Sequence, residues 1–384
     1  MSNVFQRWPL ILVLGTCLQS ILVIQLFVED TSRRFGLAED WLGLLASAET
    51  GAAALASLIV FLRPRFWRQS WVLLAGAVLF LGNIACAVVD SPEALMAARF
   101  CMGFGAGVVC SWAYRQTVFY SDSAKIQGLG LMAQAFSLMV AFALVPRLVE
   151  YLDSALYLVN GVWFGLMLVG LWLAEDRTSR HDHSDQPFEH MSETTPIQRP
   201  KWRVSVLFAI GVISMYASHG AFDTFIAELG TEAGVTLIDI GNAMLAACAI
   251  GIPAGAIATV IGAKLGVNKP LLFSVVAMLA GIVMLAVNPM NTLNFWWVAL
   301  LYNFGWVLSF PFIVLAADYL NDGGRMASAL LMLQGLGMAL GALTAGILSV
   351  DIGMVTALVS FIPVVLGVSL VGFYFSARFS QDKG

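Results

Sequence analysis

Runs of about twenty apolar residues recur along the whole chain, each long enough to cross a bilayer's hydrocarbon core as a helix. Backbone N–H and C=O groups find no water there, so spanning runs of this length must be helical. The runs cover 8–28, 41–62, 69–89, 92–120, 126–149 and 154–174, then 204–229, 237–262, 270–287, 293–320, 327–350 and 354–375. Only 11% of the 384 residues are charged, against about 25% in soluble domains. The sequence therefore predicts an all-α integral membrane protein with twelve spans. The first run, ending in the charged stretch after Val28, lacks a small-residue cleavage site and reads as a span rather than a removable signal.

A polar stretch separates the two sets of six. It predicts an N-terminal bundle over 1–174, a cytoplasmic linker over 175–203 and a C-terminal bundle with a short tail over 204–384. The linker is rich in Asp, His, Ser, Thr and Pro and has no apolar period, the composition of a solvated connector. His181, His183 and His190 lie in it without fixed ligand spacing, so no metal site is expected. With the N-terminus inside, fifteen of the twenty Lys and Arg residues fall on the inner side. Arg33, Arg34 and Arg147 fall outside, and Arg99 and Arg115 lie within the fourth span. Positive charge stays on the cytoplasmic side, so both termini are expected there.

The fourth span carries the most costly side chain. Arg99 sits in an apolar run and is followed by Gly103, Gly105 and Gly107. An arginine at mid-span costs about 2.5–3.5 kcal/mol on insertion scales and as a rule faces a polar interior. Gly103 and Gly107, four residues apart, share a face that lets a second helix approach closely. The expectation is a helix packed beside a water-accessible cavity.

The two halves resemble each other at an offset of about 200 residues. Asp122 matches Asp322, Lys125 answers Arg325, and Gln134 matches Gln334. Gly51 pairs with Gly251 and Gly105 with Gly305. A duplication of six spans predicts two pseudo-symmetric bundles related by an axis along the membrane normal, with substrate between them.

On these residues the chain resembles the major facilitator superfamily over nearly its whole length. Leu95, Arg99, Gly103 and Gly105 follow that family's Leu-x-x-x-Arg-x-x-x-Gly-x-Gly pattern. The loop Gly262–Lys269 is similar to the family's basic gate loop, with Lys264, Gly266 and Lys269 in place but Ala263 at the usual aspartate position. The first-half loop keeps Arg63, Arg65 and Arg68 but not the aspartate or the glycine. The glycine-rich run ending in Gly-Pro of the family's antiporters is absent from the fifth span, where Pro146 alone fits. From Met215 to Gly346 the chain is similar to permeases of aromatic- and terpenoid-acid catabolism. The resemblance implies a secondary transporter working by alternating access, with Arg99 handling substrate or protons.

Several ionisable residues stand in the spans. Glu49 and Arg99 lie at similar depth in neighbouring helices, Glu49 roughly 12 Å in from Trp41 at 1.5 Å per residue. Either they form a static ion pair or Glu49 takes up a proton as substrate leaves, since apolar surroundings favour a neutral carboxyl. In the seventh span Tyr216, His219 and Asp223 share a face, and His219 can relay a proton to Asp223 or simply hydrogen-bond a neighbour. Gln134, Asn303 and Gln334 are the chosen cavity-lining amides among eight polar span residues that include Gln19 and Gln25. Trp112, Tyr114, Tyr302 and Trp306 offer an aromatic wall or interface anchors. Arg115 and Asp318, with Lys264 and Arg325, read as inner-gate charges. The five cysteines lie in apolar runs, odd in number and without a CxxC pair, and read as small buried thiols.

The expected function is proton-coupled movement of a small organic molecule, an organic or aromatic acid drawn by Arg99. Its partners are substrate, proton and lipid, and the chain is expected to act as a monomer. Drug or metabolite efflux is the alternative transport reading, and a transport-inactive membrane sensor or assembly factor the alternative from another class. No basic patch with interleaved aromatics points to nucleic acid, no nucleotide loop follows a strand, and no nucleophile–base set suggests an enzyme. No cofactor is implied.

Overall fold

A computed structural model describes residues 7–63, 68–118, 123–174, 202–261, 267–287, 291–319 and 325–381. The linker assigned to 175–203 lies, but for its last two residues, outside the described residues, as does Lys264. Asp318 and Arg325 lie in helices, but their side chains are outside the described set.

The first span is built from three helical segments, α1 (Trp8–Thr16), α2 (Gln19–Leu22) and α3 (Ile24–Phe35). One unbroken helix over 8–28 was expected. Thr16 Oγ1 returns its hydrogen bond to the Leu12 carbonyl at 2.7 Å, which bends a helix at that turn. The second interruption is at β-branched Val23, followed by β-branched Ile24, a pair with restricted χ1 freedom in helices. The other spans are α4 (Glu39–Leu62), α5 (Gln69–Val88), α6 (Pro92–Val118), α7 (Ser123–Leu148) and α8 (Ala155–Leu173), then α9 (Trp202–Glu232), α10 (Leu237–Ile261), α11 (Asn268–Val287), α12 (Thr292–Tyr319), α13 (Arg325–Ile352) and α14 (Met354–Gln381). With α1 to α3 as one span they make twelve. The tight connections use glycine where the backbone turns left-handed: Gly36 closes α3 at φ +59°, and Gly353 separates α13 from α14 at φ +79°.

The chain divides into two units. Unit 1 takes Met1–Val23 and Ala48–Pro196, and unit 2 takes Ile24–Ser47 and Ile197–Gly384. The stretch Ile24–Ser47 is early in sequence, yet its contacts lie with α9 and α13. Ser32 Oγ donates to Glu228 Oε1 at 2.8 Å, Ser47 Oγ donates to the Ala339 carbonyl at 2.7 Å, and a Cβ on Gly43 would stand 2.6 Å from the Ala342 carbonyl.

Pairing inside each unit repeats. The first helix of the unit packs on the fifth and sixth, and the third on the fourth and sixth: α1 on α7 and α8 with α5 on α6 and α8, and α9 on α13 and α14 with α11 on α12 and α14. Gly105 lets α6 settle on Ala75 and Leu79 of α5, and Gly305 lets α12 settle on Ser274 and Met278 of α11. The two glycines matched by sequence thus do the same work.

Large apolar side chains such as Phe27, Trp112, Phe164, Phe222 and Phe312 fill the interior, while Leu81, Trp172, Leu272 and Val364 point outward to where lipid would lie. Cys17, Cys86 and Cys110 are buried as expected, but Cys101 is exposed and Cys248 half-buried. Cys101 faces outward on α6 beside exposed Phe100, a position that an apolar run cannot distinguish from an inward one.

Candidate functional site

The charged pair of unit 1 is assembled from three helices. α4 supplies Glu49, α6 supplies Arg99 and the short α2 supplies Ser20. The Arg99 guanidinium forms an ion pair with Glu49 Oε2, and Ser20 Oγ donates to Glu49 Oε1 at 2.6 Å. Glu49 is 0% and Arg99 1% exposed, so the charges sit among protein atoms in this conformation rather than on a wetted wall. Proximity comes from glycine. A Cβ on Gly103 would overlap the Glu49 backbone and one on Gly107 the Ala53 backbone, so α6 and α4 touch main chain to main chain. Arg99 is one turn before Gly103 and therefore lies along the same contact.

Ser20 owes its position to the broken helix. Its neighbour Gln19, 0% exposed, is fastened to α7: Ser137 Oγ donates to Gln19 Oε1 at 2.7 Å, and Gln19 Nε2 donates to the Ser137 carbonyl at 3.3 Å. The serine at this break supplies a hydrogen bond to the buried carboxylate, and the glutamine anchors the segment to α7. Ser20→Ala removes a hydrogen bond to a charged acceptor, worth about 1.5–3 kcal/mol. A lower melting temperature with unchanged helical content is the expected result, and an unchanged melting temperature would deny Ser20 this role.

Unit 2 holds the second group, on α9 and α12. His219 Nε2 lies 3.2 Å from Asp223 Oδ2. The imidazole stacks on Trp306, with centroids 3.7 Å apart, and Tyr216 meets Trp306 edge-on at 4.4 Å. Tyr302 stacks on Phe222 at 3.6 Å and donates its hydroxyl hydrogen to Ser218 Oγ at 3.2 Å. Gly220, Gly337 and Gly341 let α9 and α13 touch, as Gly103 does in unit 1. Buried polar atoms without a hydrogen-bond partner remain here: His219 Nδ1, Asp223 Oδ1 and Gln25 Oε1.

Residues named from sequence thus fall into two clusters. Glu49 meets Arg99, and Tyr216, His219 and Asp223 meet Tyr302 and Trp306. The chosen amides join neither. Asn303 Nδ2 donates to the Ala299 carbonyl of its own helix at 3.0 Å, and Gln134 and Gln334 are half-buried on α7 and α13. Arg115 is half-buried on α6. Among the described residues the buried glutamines are Gln19, Gln25 and Gln116, and Gln19 and Gln25, with Ser20, Ser137 and Phe222, are residues of these clusters that sequence reasoning did not select. The available signal was need: a buried carboxylate requires donors, and Ser20 in the middle of the neighbouring run supplies one.

A twelve-span helical chain of two repeated units, with ionisable residues held inside its spans, is a polytopic membrane protein built as paired helical bundles. The family model described as Major Facilitator Superfamily matches residues 10–342, and the chain belongs to that superfamily. It is 30% identical over 142 residues to the arabinose-proton symporter of Escherichia coli (strain K12), covering 37% of this chain and 28% of the symporter. It is 29% identical over 113 residues to the multidrug resistance protein Stp of Mycobacterium tuberculosis (strain CDC 1551 / Oshkosh), covering 29% of this chain and 21% of Stp. Both matches therefore span less than a third of the relative. Among solved structures, the D-xylose-proton symporter superposes with a TM-score of 0.74 at 13% identity over 100% of each chain. The nucleoside transporter NupG superposes with a TM-score of 0.71 at 14% identity over 99% of this chain and 100% of NupG. At such identities these structures establish the fold alone.

Proposed function

We propose that this transporter couples the movement of a small organic molecule to protons, with Glu49 as the proton acceptor and Arg99 as its counter-charge. The observation that carries the reading is the buried Ser20–Glu49–Arg99 group. A buried ion pair is a weak device for stability, because desolvation offsets its Coulombic gain. Ionisable groups kept inside spans are as a rule on a substrate or ion path. Protonation of Glu49 removes the negative half of the pair and frees Arg99 for another partner, so one proton changes the contact between α4 and α6. The acid cargo expected from sequence would have to displace Glu49 from Arg99, and since that carboxylate already holds the guanidinium, the acid is the lesser reading. The match to the arabinose-proton symporter makes a pentose a second candidate, and the match to Stp keeps efflux open. His219 and Asp223 form the substrate-facing group of the other unit. Arg115, Lys264, Asp318 and Arg325 act as inner-gate charges, and Gln134, Asn303 and Gln334 line the path. The chain works as a monomer of two bundles, 1–174 and 204–384, joined by the 175–203 linker, in a cytoplasmic membrane with both termini inside.

The test uses proteoliposomes loaded with a pH-sensitive dye and a panel of organic acids, pentoses and amines. A substrate should move protons in the native protein and exchange without net proton movement in Glu49→Gln. Proton movement of native size in Glu49→Gln would remove Glu49 from coupling and overturn the reading.

A further inference from the structure

The chemistry of unit 2 differs from that of unit 1. Two of its buried atoms without partners, Asp223 Oδ1 and Gln25 Oε1, are acceptors on side chains 5% and 3% exposed. The Gln25 amide is oriented by its partner: Nε2 meets Met244 Sδ at 3.8 Å, and a thioether sulfur can only accept, so the oxygen points the other way. His219 sets Nε2 toward Asp223, so in its neutral form with the proton on that nitrogen its orphaned Nδ1 is an acceptor as well. Three buried acceptors without a donor make a site that a carboxylate cannot satisfy.

One helix, α10, faces both Gln25 and Asp223. Gln25 touches Met244, and Cys248, one turn further along α10, lies in the field of the Asp223 carboxylate, as does the Tyr302 hydroxyl. Among the described residues the basic partner of Asp223 is a histidine, not a Lys or Arg. Aromatic rings stand around it, Trp306 against His219 and Tyr302 against Phe222. Trp306 and Cys248 are half-buried.

We infer that unit 2 binds a small organic ammonium ion, its N–H donors on Asp223, Gln25 and His219 and its apolar part against Trp306 and Tyr302. An ammonium has three donors and no acceptor, the complement of the orphaned atoms. Its charge completes that of Asp223, and aromatic faces attract cations. The inference rests on the reading of the chain as a carrier of a small organic molecule and names the class of that molecule.

Purified full-length protein is heated with phenylethylammonium chloride, 2-phenylethanol, phenylacetate or arabinose. The ammonium should raise the melting temperature in a saturable way and the other three should not. The midpoint should move at least tenfold upward in Asp223→Asn and several-fold in Gln25→Leu, which keeps the carboxylate if Asp223→Asn does not fold. In the native protein the same ammonium should slow alkylation of half-buried Cys248 by N-ethylmaleimide several-fold, with Cys248→Ser identifying the site. Stabilisation by phenylacetate or arabinose as large as by the ammonium, unchanged affinity in the variants, unaltered Cys248 labelling at saturation, or no shift at millimolar ammonium would each overturn the inference. None of these readouts needs a pH gradient, so failure here leaves the role of Glu49 to its own vesicle assay.

Discussion

Arg99→Leu with Glu49 kept should destabilise the protein by about 3–5 kcal/mol, the cost of leaving one member of a buried ion pair uncompensated. The loss follows from geometry. Glu49 is 0% exposed, its other oxygen already accepts from Ser20, and the protein interior offers it no water in exchange for the guanidinium. Adding Glu49→Gln to Arg99→Leu removes the stranded charge, so the double variant should recover most of the stability. It should remain unable to couple protons. Thermal unfolding of the single and double variants, read as a double-mutant cycle, measures the coupling between the two residues. A single variant as stable as the native protein would mean that the pair is not buried as described. A double variant no better than the single would mean that Arg99 acts through packing and not through charge. Recovered stability with native coupling would leave the pair a structural feature alone.

What the sequence made legible follows from the period of the physics involved. Span number and approximate position come from unbroken apolar length, which is why α4 to α14 stand close to their expected bounds. The contact of Glu49 with Arg99 was legible because two like-depth opposite charges in oil have few alternatives to each other. The meeting of Tyr216 and His219 with Trp306 was half legible: helical spacing puts Tyr216, His219 and Asp223 together, but nothing local says which ring of α12 they meet. The interruption of the first span was not legible, because Thr16 and Val23 are tolerated in continuous spans and the break depends on what α7 and α4 offer Gln19 and Ser20. Ile24–Ser47 packing with α9 and α13 was hidden for the same reason, since Gly43 and Ser47 read as ordinary small residues until Gly346 and Ala339 are placed beside them. Gln134 and Gln334 were selected for repeat symmetry, while Gln19, Gln25 and Gln116 hold the buried positions among the described residues.

Gly103→Val should be the most damaging glycine substitution in α6. A Cβ at Gly103 would overlap the Glu49 main chain, which has no rotamer through which to retreat, so the two helices themselves must separate. Overpacking of this kind costs about 1–3 kcal/mol and occasionally more, and membrane helices depend on close van der Waals approach for their association. The damage does not stop at stability. Glu49 moves with its backbone, so separation at Gly103 also draws the carboxylate away from Arg99 and from the Ser20 hydroxyl, and Gly103→Ala should already impair proton coupling while the protein still folds. Gly128→Ala is the matched control: a Cβ there meets nothing within 4 Å, and alanine is about 0.8–1 kcal/mol more favourable than glycine in a helix, so this variant should be as stable as the native protein or slightly more so. Melting temperature and vesicle coupling measured on the three variants separate the two effects. Equal behaviour of Gly103→Val and Gly128→Ala would show that α6 and α4 do not meet at the main chain, and the placement of Arg99 beside Glu49 would lose its physical cause.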